Sequence, residues 1–511
     1  EALAARTANP YGGERARALI PLGSRSAVVD RLALADAVAR EGDEGNPLPR
    51  LDLPDIRPSL RRAPIEDAVL EADELYGVYQ FLVVAGGVAD YAAEVADERL
   101  AGFLGQLELP EDLRRHLERV VDPTGGIRDQ ASPELAAARA EVRSARERVR
   151  AHMEDKAQGS SLGPMLQETR VTLRQGRYVL PVKAGSQGRI KGVVHAASGS
   201  GETVFMEPMD GVPLNNALER AEAEALREEH RVRAHATAAV GRAADELHAA
   251  GDFLGLLDLL RAGEGLRAAL AGGVPEVGAD PSFALEAVAH PLLVLEHGPD
   301  SVVATDLALG GEPHCLVISG PNTGGKTVLL KSVGLAHWMA YCGLPVAGAG
   351  QVGWFDDLYA VIGDQQSLAA DLSTFSAQLV RLKGLLGGLS PRRLVLIDEL
   401  GTGTNPNEGS ALGVAVMERL RGAGANALVS THLDRLKHYA VASEGVVNAS
   451  LAFDVERLAP TYRLQWGQAG RSQALEIAER LGLPADLLAD ARSAMDEDVL
   501  EVEQLLNDRD R

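Results

Sequence analysis

Cysteine is almost absent: Cys315 and Cys342 are the only two in 511 residues. That count excludes a disulfide scaffold and a Cys-rich zinc site, and it fits a reducing cytoplasm. Aromatic residues are 4% of the chain, so the core must rest on Leu, Val and Ala, as in helix-rich proteins. No apolar run reaches the ~18–20 residues that a membrane helix needs. The nearest runs, 81–89 and 335–346, are short or are broken by Gly, His and Pro. No signal-peptide pattern is visible. Basic residues are in deficit: 51 Lys plus Arg stand against 73 Asp plus Glu, a net charge of −22. This balance argues against a general polyanion binder. It leaves room for a local basic site, because binding follows where charge sits. The chain starts at Glu1 rather than Met and ends in a charged helical pattern, and so reads as a trimmed piece.

Hydrophobic residues at 46% and charged residues at 24% are ordinary for a folded protein and rule out disorder throughout. At roughly 150 residues per domain, the length points to about three domains. Up to about residue 109 the pattern is helical, with Val69, Leu75, Val78 and Leu82 on one side. Four prolines in 46–58 mark a loop. Ser132-Pro133-Glu134 starts a helix: an N-cap, Pro at the first position, an acid in the first turn. Leu135, Val142 and Val149 then repeat at seven residues with Ala138 and Ala145 between, a narrow stripe for one partner. A second helical pattern, dense in Glu, Arg and Ala, covers about 214–262. Its ~45 residues would span roughly 70 Å, more than a compact core needs. Two such helices around one insert read as a pair of levers.

The insert differs in character. Within 169–213 lie 177–183, 190–195 and 203–206, short β-forming runs separated by glycine turns. Between Glu168 and His195 there are six basic residues, Arg170, Arg174, Arg177, Lys183, Arg189 and Lys191, and one acid. They are either solvated charges on an exposed strand face or a surface for nucleic-acid phosphates at the lever tip.

The chemistry lies further on. Residues 315–319, Cys-Leu-Val-Ile-Ser, form an apolar run apt for a buried parallel strand. It leads into Gly320-Pro321-Asn322-Thr323-Gly324-Gly325-Lys326-Thr327, a G-x-x-x-x-G-K-T motif that opens a helix at Val328. Its glycines let backbone N–H groups cradle phosphates; Lys326 reaches the β/γ-phosphates and Thr327 can ligate Mg²⁺. Residues 394–397 are a second apolar strand, with Asp398 and Glu399 at its carboxyl end. Asp398 is placed to hold Mg²⁺ through water and Glu399 to orient and deprotonate an attacking water. Between the two halves lie Gly363-Asp364-Gln365-Gln366-Ser367 and Leu372-Ser373-Thr374-Phe375-Ser376. After them come Gly401-Thr402-Gly403-Thr404 and Ser430-Thr431-His432, with His432 about 33 residues beyond Glu399. This order is the layout of the ABC-type ATPases.

The same motifs resemble the ATPase of the MutS proteins. Residues 177–183, 201–208 and 467–472 resemble one branch, the second bacterial MutS paralogue, and the likeness covers essentially the whole chain. The resemblance implies a multidomain protein with a mostly α-helical core, long lever helices, a small β-containing clamp and an α/β P-loop ATPase. The expected limits are core 1–131, ascending lever 132–168, clamp 169–213, descending lever and core return 214–277, ATPase and dimerisation region 278–492, and a helical linker from 493. It implies a homodimer using ATP and Mg²⁺ in the cytoplasm, with no membrane partner. Gly320 through Val328 would bind ATP, with Asn322 near the γ-phosphate and Thr327 and Asp398 on the metal. Glu399, Lys326 and His432 would carry catalysis, His432 as the γ-phosphate sensor. Ser373 and Thr374 would act in trans on the partner's nucleotide. Residues 462–479 would close the dimer. The aromatic that often stacks on adenine has no match, since Val302-Val303-Ala304-Thr305 is aliphatic.

Family members are associated with branched DNA and suppression of homologous recombination, and also with splitting collided ribosomes through rRNA or ribosomal protein. The sequence does not rank these. An ABC transporter subunit is disfavoured by the levers fused upstream, and a non-hydrolysing scaffold by Glu399. No Phe-x-Glu wedge segment precedes the core. Full-length members usually add a C-terminal Smr nuclease domain, whose His/Asp motif is not seen here, so no nucleic-acid cutting is expected of this chain. The clamp, with few core contacts, is expected to be mobile.

Overall fold

The computed structural model describes residues 1–320, 325–363, 374–454, 459–468, 478–479 and 482–493. The first 120 residues carry six helices: α1 (Pro10–Arg17), α2 (Arg25–Asp43), α3 (Arg57–Arg62), α4 (Ala72–Ala92), α5 (Glu98–Leu104) and α6 (Glu111–Val120). Helix α4 buries Leu75, Val78, Phe81, Leu82, Ala85 and Val88, a face of three- and four-residue steps. Two long helices return to the same core: α8 (Val212–Arg242) gives it Val240, and α9 (Ala244–Leu270) gives it Leu247, Leu254 and Leu257. Asp258 of α9, fully buried, accepts the N–H groups of Ala8 and Asn9 and thereby pins the N-terminus of α1.

Helix α7 (Pro133–Gln158) starts as its cap signals predict, with Ser132 Oγ accepting Leu135 N–H at 3.0 Å. It runs antiparallel to α8, as the ion pairs Arg139–Glu229 and Arg146–Glu222 fix. Its 26 residues give a length of about 39 Å. It ends well short of residue 168, where Gly159 and Pro164 break the helical pattern and a short 3-10 turn covers Gly163–Met165. The pattern read as one helix over about 214–262 is two. They meet at Ala243, which leaves helical geometry at φ −96 and ψ 9, two residues after Gly241, whose Cα lies against Ala63 so closely that a Cβ would stand 2.7 Å from its carbonyl oxygen.

Between α7 and α8 is a four-stranded antiparallel sheet: β1 (Thr172–Arg174), β2 (Arg177–Lys183), β3 (Gly192–Ala197) and β4 (Thr203–Pro208), in the order β1-β2-β4-β3. Gln175 and Gly176, both at positive φ, form the two-residue turn between β1 and β2. Leu180, Val182, Val204 and Met206 face Val149, Met153 and Ala157 of α7 in a small separate core.

The rest is α/β. Strands β5 (Glu276–Val277), β6 (Phe283–Val288), β7 (Thr305–Leu309) and β9 (Ala349–Val352) form one sheet in the order β5-β9-β6-β7, with α10 (Pro291–His297) between β6 and β7. A larger sheet runs β10 (Asp357–Val361), β11 (Arg393–Ile397), β12 (Asn426–Ser430), β8 (Cys315–Ser319), β13 (Val446–Asp454) and β14 (Ala459–Trp466). The first five are parallel, and β14 closes one edge antiparallel. Helices α11 (Lys326–Tyr341), α12 (Thr374–Leu386), α13 (Pro406–Gly422) and α14 (Asp434–Ala442) accompany it. Strand β8 is buried at all five residues, as a continuous apolar run at the middle of a parallel sheet must be.

Candidate nucleotide site

In an open parallel sheet, ligands bind beyond the carboxyl ends of the strands. Strands β8, β11 and β12 end together here. After β8, Gly320 lies at φ +132, and Gly325, at φ +90, caps α11. Residues Pro321, Asn322, Thr323 and Gly324 fall outside the described residues. Lys326 is the first residue of α11 and 2% exposed, and its Nζ donates to Gly320 O at 2.5 Å. Burial holds this ammonium below its ordinary value; Glu399 and Asp398 work against that and Lys437 adds to it.

Thr327 Oγ1 donates to Asp398 Oδ2 at 2.6 Å, which joins the end of β11 to the start of α11. The other oxygen, Oδ1, accepts from Ser430 Oγ at 2.5 Å, and Ser430 Oγ in turn accepts Glu399 N–H at 2.8 Å. Glu399 sits at φ +51, a conformation that a non-glycine residue adopts only when its surroundings impose it. Gln378 of α12 donates its Nε2 to the carbonyls of both Asp398 and Glu399, each at 3.3 Å. The acid pair is therefore held from two sides.

Among the described residues no group of three or more His, Cys, Asp or Glu side chains could hold a metal ion by itself. Mg²⁺ keeps several waters and takes one or two carboxylates plus substrate phosphates. The Thr327 hydroxyl and the Asp398 carboxylate are hard oxygen donors already brought together, so the donor set fits this ion.

A cavity of about 290 Å³ adjoins the end of the phosphate loop, lined by Gly325, Val328, Val302, Val303, His290 and Tyr462 among others. Tyr462 of β14 lies over Gly325, so that a Cβ there would stand 2.8 Å from its ring. Its backbone is also at positive φ, +57. Among the described residues the Nδ1 atom of His290 is buried without a hydrogen-bond partner. Burial, with Lys331 nearby, keeps that imidazole below its ordinary value.

The structure thus brings together Gly320, Gly325, Lys326, Thr327, Asp398 and Glu399. His432 follows Thr431 at the end of β12 and is exposed, and no hydrogen bond ties it to those side chains. Ser373 lies outside the described residues, and Thr374 opens α12 with its side chain outside them. Gln378 and His290 had no role in the sequence reading; Ser430 entered it only within Ser430-Thr431-His432, and Tyr462 only as the start of the stretch 462–479 expected to close the dimer. Ser430 alone carried a signal, since it ends the strand beside Asp398.

The basic residues of the small sheet divide into two kinds. Arg170, Arg174, Lys183, Arg189 and Lys191 are exposed, Arg174 lying over the Phe205 ring at 4.4 Å. Arg177 departs from the expectation of a nucleic-acid contact. It pairs with the buried Glu207 at 2.9 Å and with Glu219 at 2.8 Å, and donates to Asn216 Oδ1 at 2.5 Å. Glu207 also meets His195 at 2.7 Å and Asn215 at 2.8 Å. The Arg177 charge is neutralised inside the junction between sheet and α8, and the surface charge rests on the other five.

A Gly-Lys-Thr loop after a central parallel strand, with an Asp-Glu pair at the end of a neighbouring one, defines the P-loop ATPase class. Residues 316–498 match MutS domain V, so the class narrows to the MutS family. The Endonuclease MutS2 of Pelotomaculum thermopropionicum is 38% identical over 520 residues, covering 99% of this chain and 64% of that protein. That of Bacillus velezensis is 36% identical over 518 residues, 99% and 65%. That of Halalkalibacterium halodurans is 37% identical over 460 residues, 88% and 58%. The chain belongs to the MutS2 type of the MutS family, and it spans just under two thirds of the length of the first two of these relatives. Among the described residues no helix is long and apolar enough to cross a membrane.

Proposed function

We propose that this chain is an ATP-hydrolysing homodimeric clamp that grips nucleic acid through its small sheet. The observation that carries the reading is the convergence of Lys326, Thr327, Asp398 and Glu399 at the carboxyl ends of β8 and β11. Lys326 leaves the Gly320 carbonyl to donate to phosphate oxygens. Thr327 and Asp398 would hold Mg²⁺, which when bound would supply neutralisation of phosphate charge. Glu399 orients a water against the γ-phosphorus and takes its proton; the water oxygen bonds to phosphorus as the bond to the ADP oxygen breaks, giving ADP and phosphate. The nucleobase enters the cavity beside Gly325, against Tyr462, with the unpartnered His290 Nδ1 as a polar contact. His432 senses the γ-phosphate, and Ser373 and Thr374 serve the partner subunit's site. The two buried free cysteines accord with a cytoplasmic protein.

For the ligand, we favour branched DNA, with the clamp acting to suppress homologous recombination. The five exposed cations of the sheet support a phosphate contact. They would serve the rRNA of a collided ribosome equally well, so ribosome splitting is the second reading. ATP turnover titrated with four-way-junction DNA and with collided ribosomes separates the two. Stimulation by the junction alone supports the first, stimulation by ribosomes alone supports the second, and stimulation by neither removes the clamp reading.

A further inference from the structure

In a chain of net charge −22, most arginines of the long helix pair are neutralised. Arg139, Arg143, Arg146, Arg148, Arg150, Arg227, Arg231 and Arg233 all meet carboxylates. At the root of that pair the pattern reverses. Arg119 and Arg128 line an open cavity of about 650 Å³ together with His116 and Gln130. The His116 ring makes an edge contact with His235 of α8 at 5.3 Å between centroids. Arg242, at the end of α8, is close enough to bear on His116. Among the described residues no carboxylate pairs with Arg119, Arg128 or Arg242, and their side chains are exposed. Arg119 and Arg128 each spend only Nε, on the carbonyls of Arg115 and Val121, which leaves both ends of each guanidinium fork open.

The neighbouring acids have hydrogen-bond or ion-pair partners of their own, and Asp122 also lies within electrostatic reach of Arg128. Glu118, on the cavity wall, faces Arg114 at 3.8 Å. Asp122 accepts from Thr124 and from Gly126 N–H, and Asp129 pairs with Arg139 and Arg143. The Nε2 atom of His116 is buried with no hydrogen-bond partner, so a polar group at the cavity is also unsatisfied. Guanidinium forks match phosphate oxygens in pairs. A wide site with cations spread over α6, the loop after it and α8 suits a chain of phosphates better than one enclosed anion.

We propose that His116, Arg119, Arg128, His235 and Arg242 form a second nucleic-acid contact, binding phosphodiester oxygens at the root of the α7–α8 pair. This rests on the reading of the small sheet as a nucleic-acid clamp. The two contacts are separated by about the length of α7, ~39 Å, or roughly 11 base pairs at 3.4 Å each. A single duplex of greater length can engage both.

The test is fluorescence anisotropy with duplexes of roughly 24 base pairs, as DNA and as RNA, across a salt series. The proteins are the wild type, Arg119→Gln/Arg128→Gln at the root and Lys183→Gln/Lys191→Gln at the sheet. The root variant is expected to bind at least about ten-fold more weakly and to lose about two from the slope of log K against log salt. Its ATP turnover without nucleic acid should be unchanged. Arg242→Glu, whose side chain has no ion pair or hydrogen bond among the described residues, should repeat the loss without disturbing the fold. Unchanged affinity and slope in both root variants, with loss in the sheet variant, overturn this inference and leave the clamp reading intact. Unchanged binding in all three overturns both. Inorganic phosphate bound at the root, with no effect of the root variants on either duplex, also overturns the inference. The DNA and RNA arms distinguish the two sources of phosphodiester.

Discussion

Ser430 donates its hydroxyl to Asp398 at 2.5 Å, and through the same oxygen it receives the backbone N–H of Glu399. One side chain on β12 thus fixes both acids of the neighbouring strand, the Asp398 carboxylate through the serine O–H and Glu399 through its own backbone N–H. Removing it should loosen the acids without touching the phosphate loop. A hydrogen bond to a charged group contributes about 1.5–3 kcal/mol, so Ser430→Ala should lower kcat by roughly 10–100-fold and raise the Mg²⁺ requirement. Nucleotide affinity should hold, and Ser430→Thr should restore most of the rate. Steady-state ATPase kinetics over a Mg²⁺ series read both effects.

Tyr462 should matter for affinity rather than for chemistry. Aromatic packing of this kind contributes about 0.5–1.5 kcal/mol beyond buried area. Tyr462→Ala should weaken ATP binding several-fold in a titration of a fluorescent nucleotide, and Tyr462→Phe should keep it. Equal binding by the Ala variant would show that the base lies elsewhere.

Arg177 should act on stability and not on nucleic-acid contact. Its substitution by Ala leaves Glu207, about fully buried, with His195 and Asn215 but no permanent cation. Breaking a buried pair from one side costs about 3–5 kcal/mol. Because Arg177 is itself part-exposed, the lower end is expected. Thermal melting of Arg177→Ala should show a drop in the sheet's transition, while Lys183→Ala should melt like the wild type.

His337 sets a pH dependence in the ATPase core. It is fully buried among Phe283, Tyr341 and Phe355, and burial pushes its pKa down to about 4. Unfolded, it would take a proton near 6.5. Between those values the unfolded chain binds the proton and the folded one does not, so stability falls as pH falls. From pH 7 to pH 5 the loss is roughly 2 kcal/mol. Chemical denaturation of the wild type should show it, and His337→Leu should flatten the curve over the same window.

Local signals carried the strands and turns of the candidate nucleotide site. Residues 315–319 and 394–397 read as buried strands because an unbroken apolar run of that length fits the middle of a parallel sheet and nothing exposed. Glycines at 320 and 325 marked the turn because their positive φ is required there. What escaped was settled by distant contacts. The helix break at Ala243 comes two residues after the close approach of Gly241 to Ala63, in a stretch whose Ala and Arg content favours uninterrupted helix. The charge of Arg177 is decided by Glu207, thirty residues away and on another strand. The wall of the cavity beside the phosphate loop pairs Gly325 with Tyr462, which no spacing rule connects. Ser430 could have been found, since its strand pairs with β11 next to Asp398, but its hydroxyl's two bonds depend on register.

Glu399 is proposed to activate water for ATP hydrolysis at this site. The most direct measurement is single-turnover hydrolysis of ATP by Glu399→Gln beside the wild type, with nucleotide affinity measured on the same preparations. A variant that binds ATP as the wild type does but hydrolyses it at least about 100-fold more slowly is the predicted result. Equal affinity with a wild-type rate would contradict it.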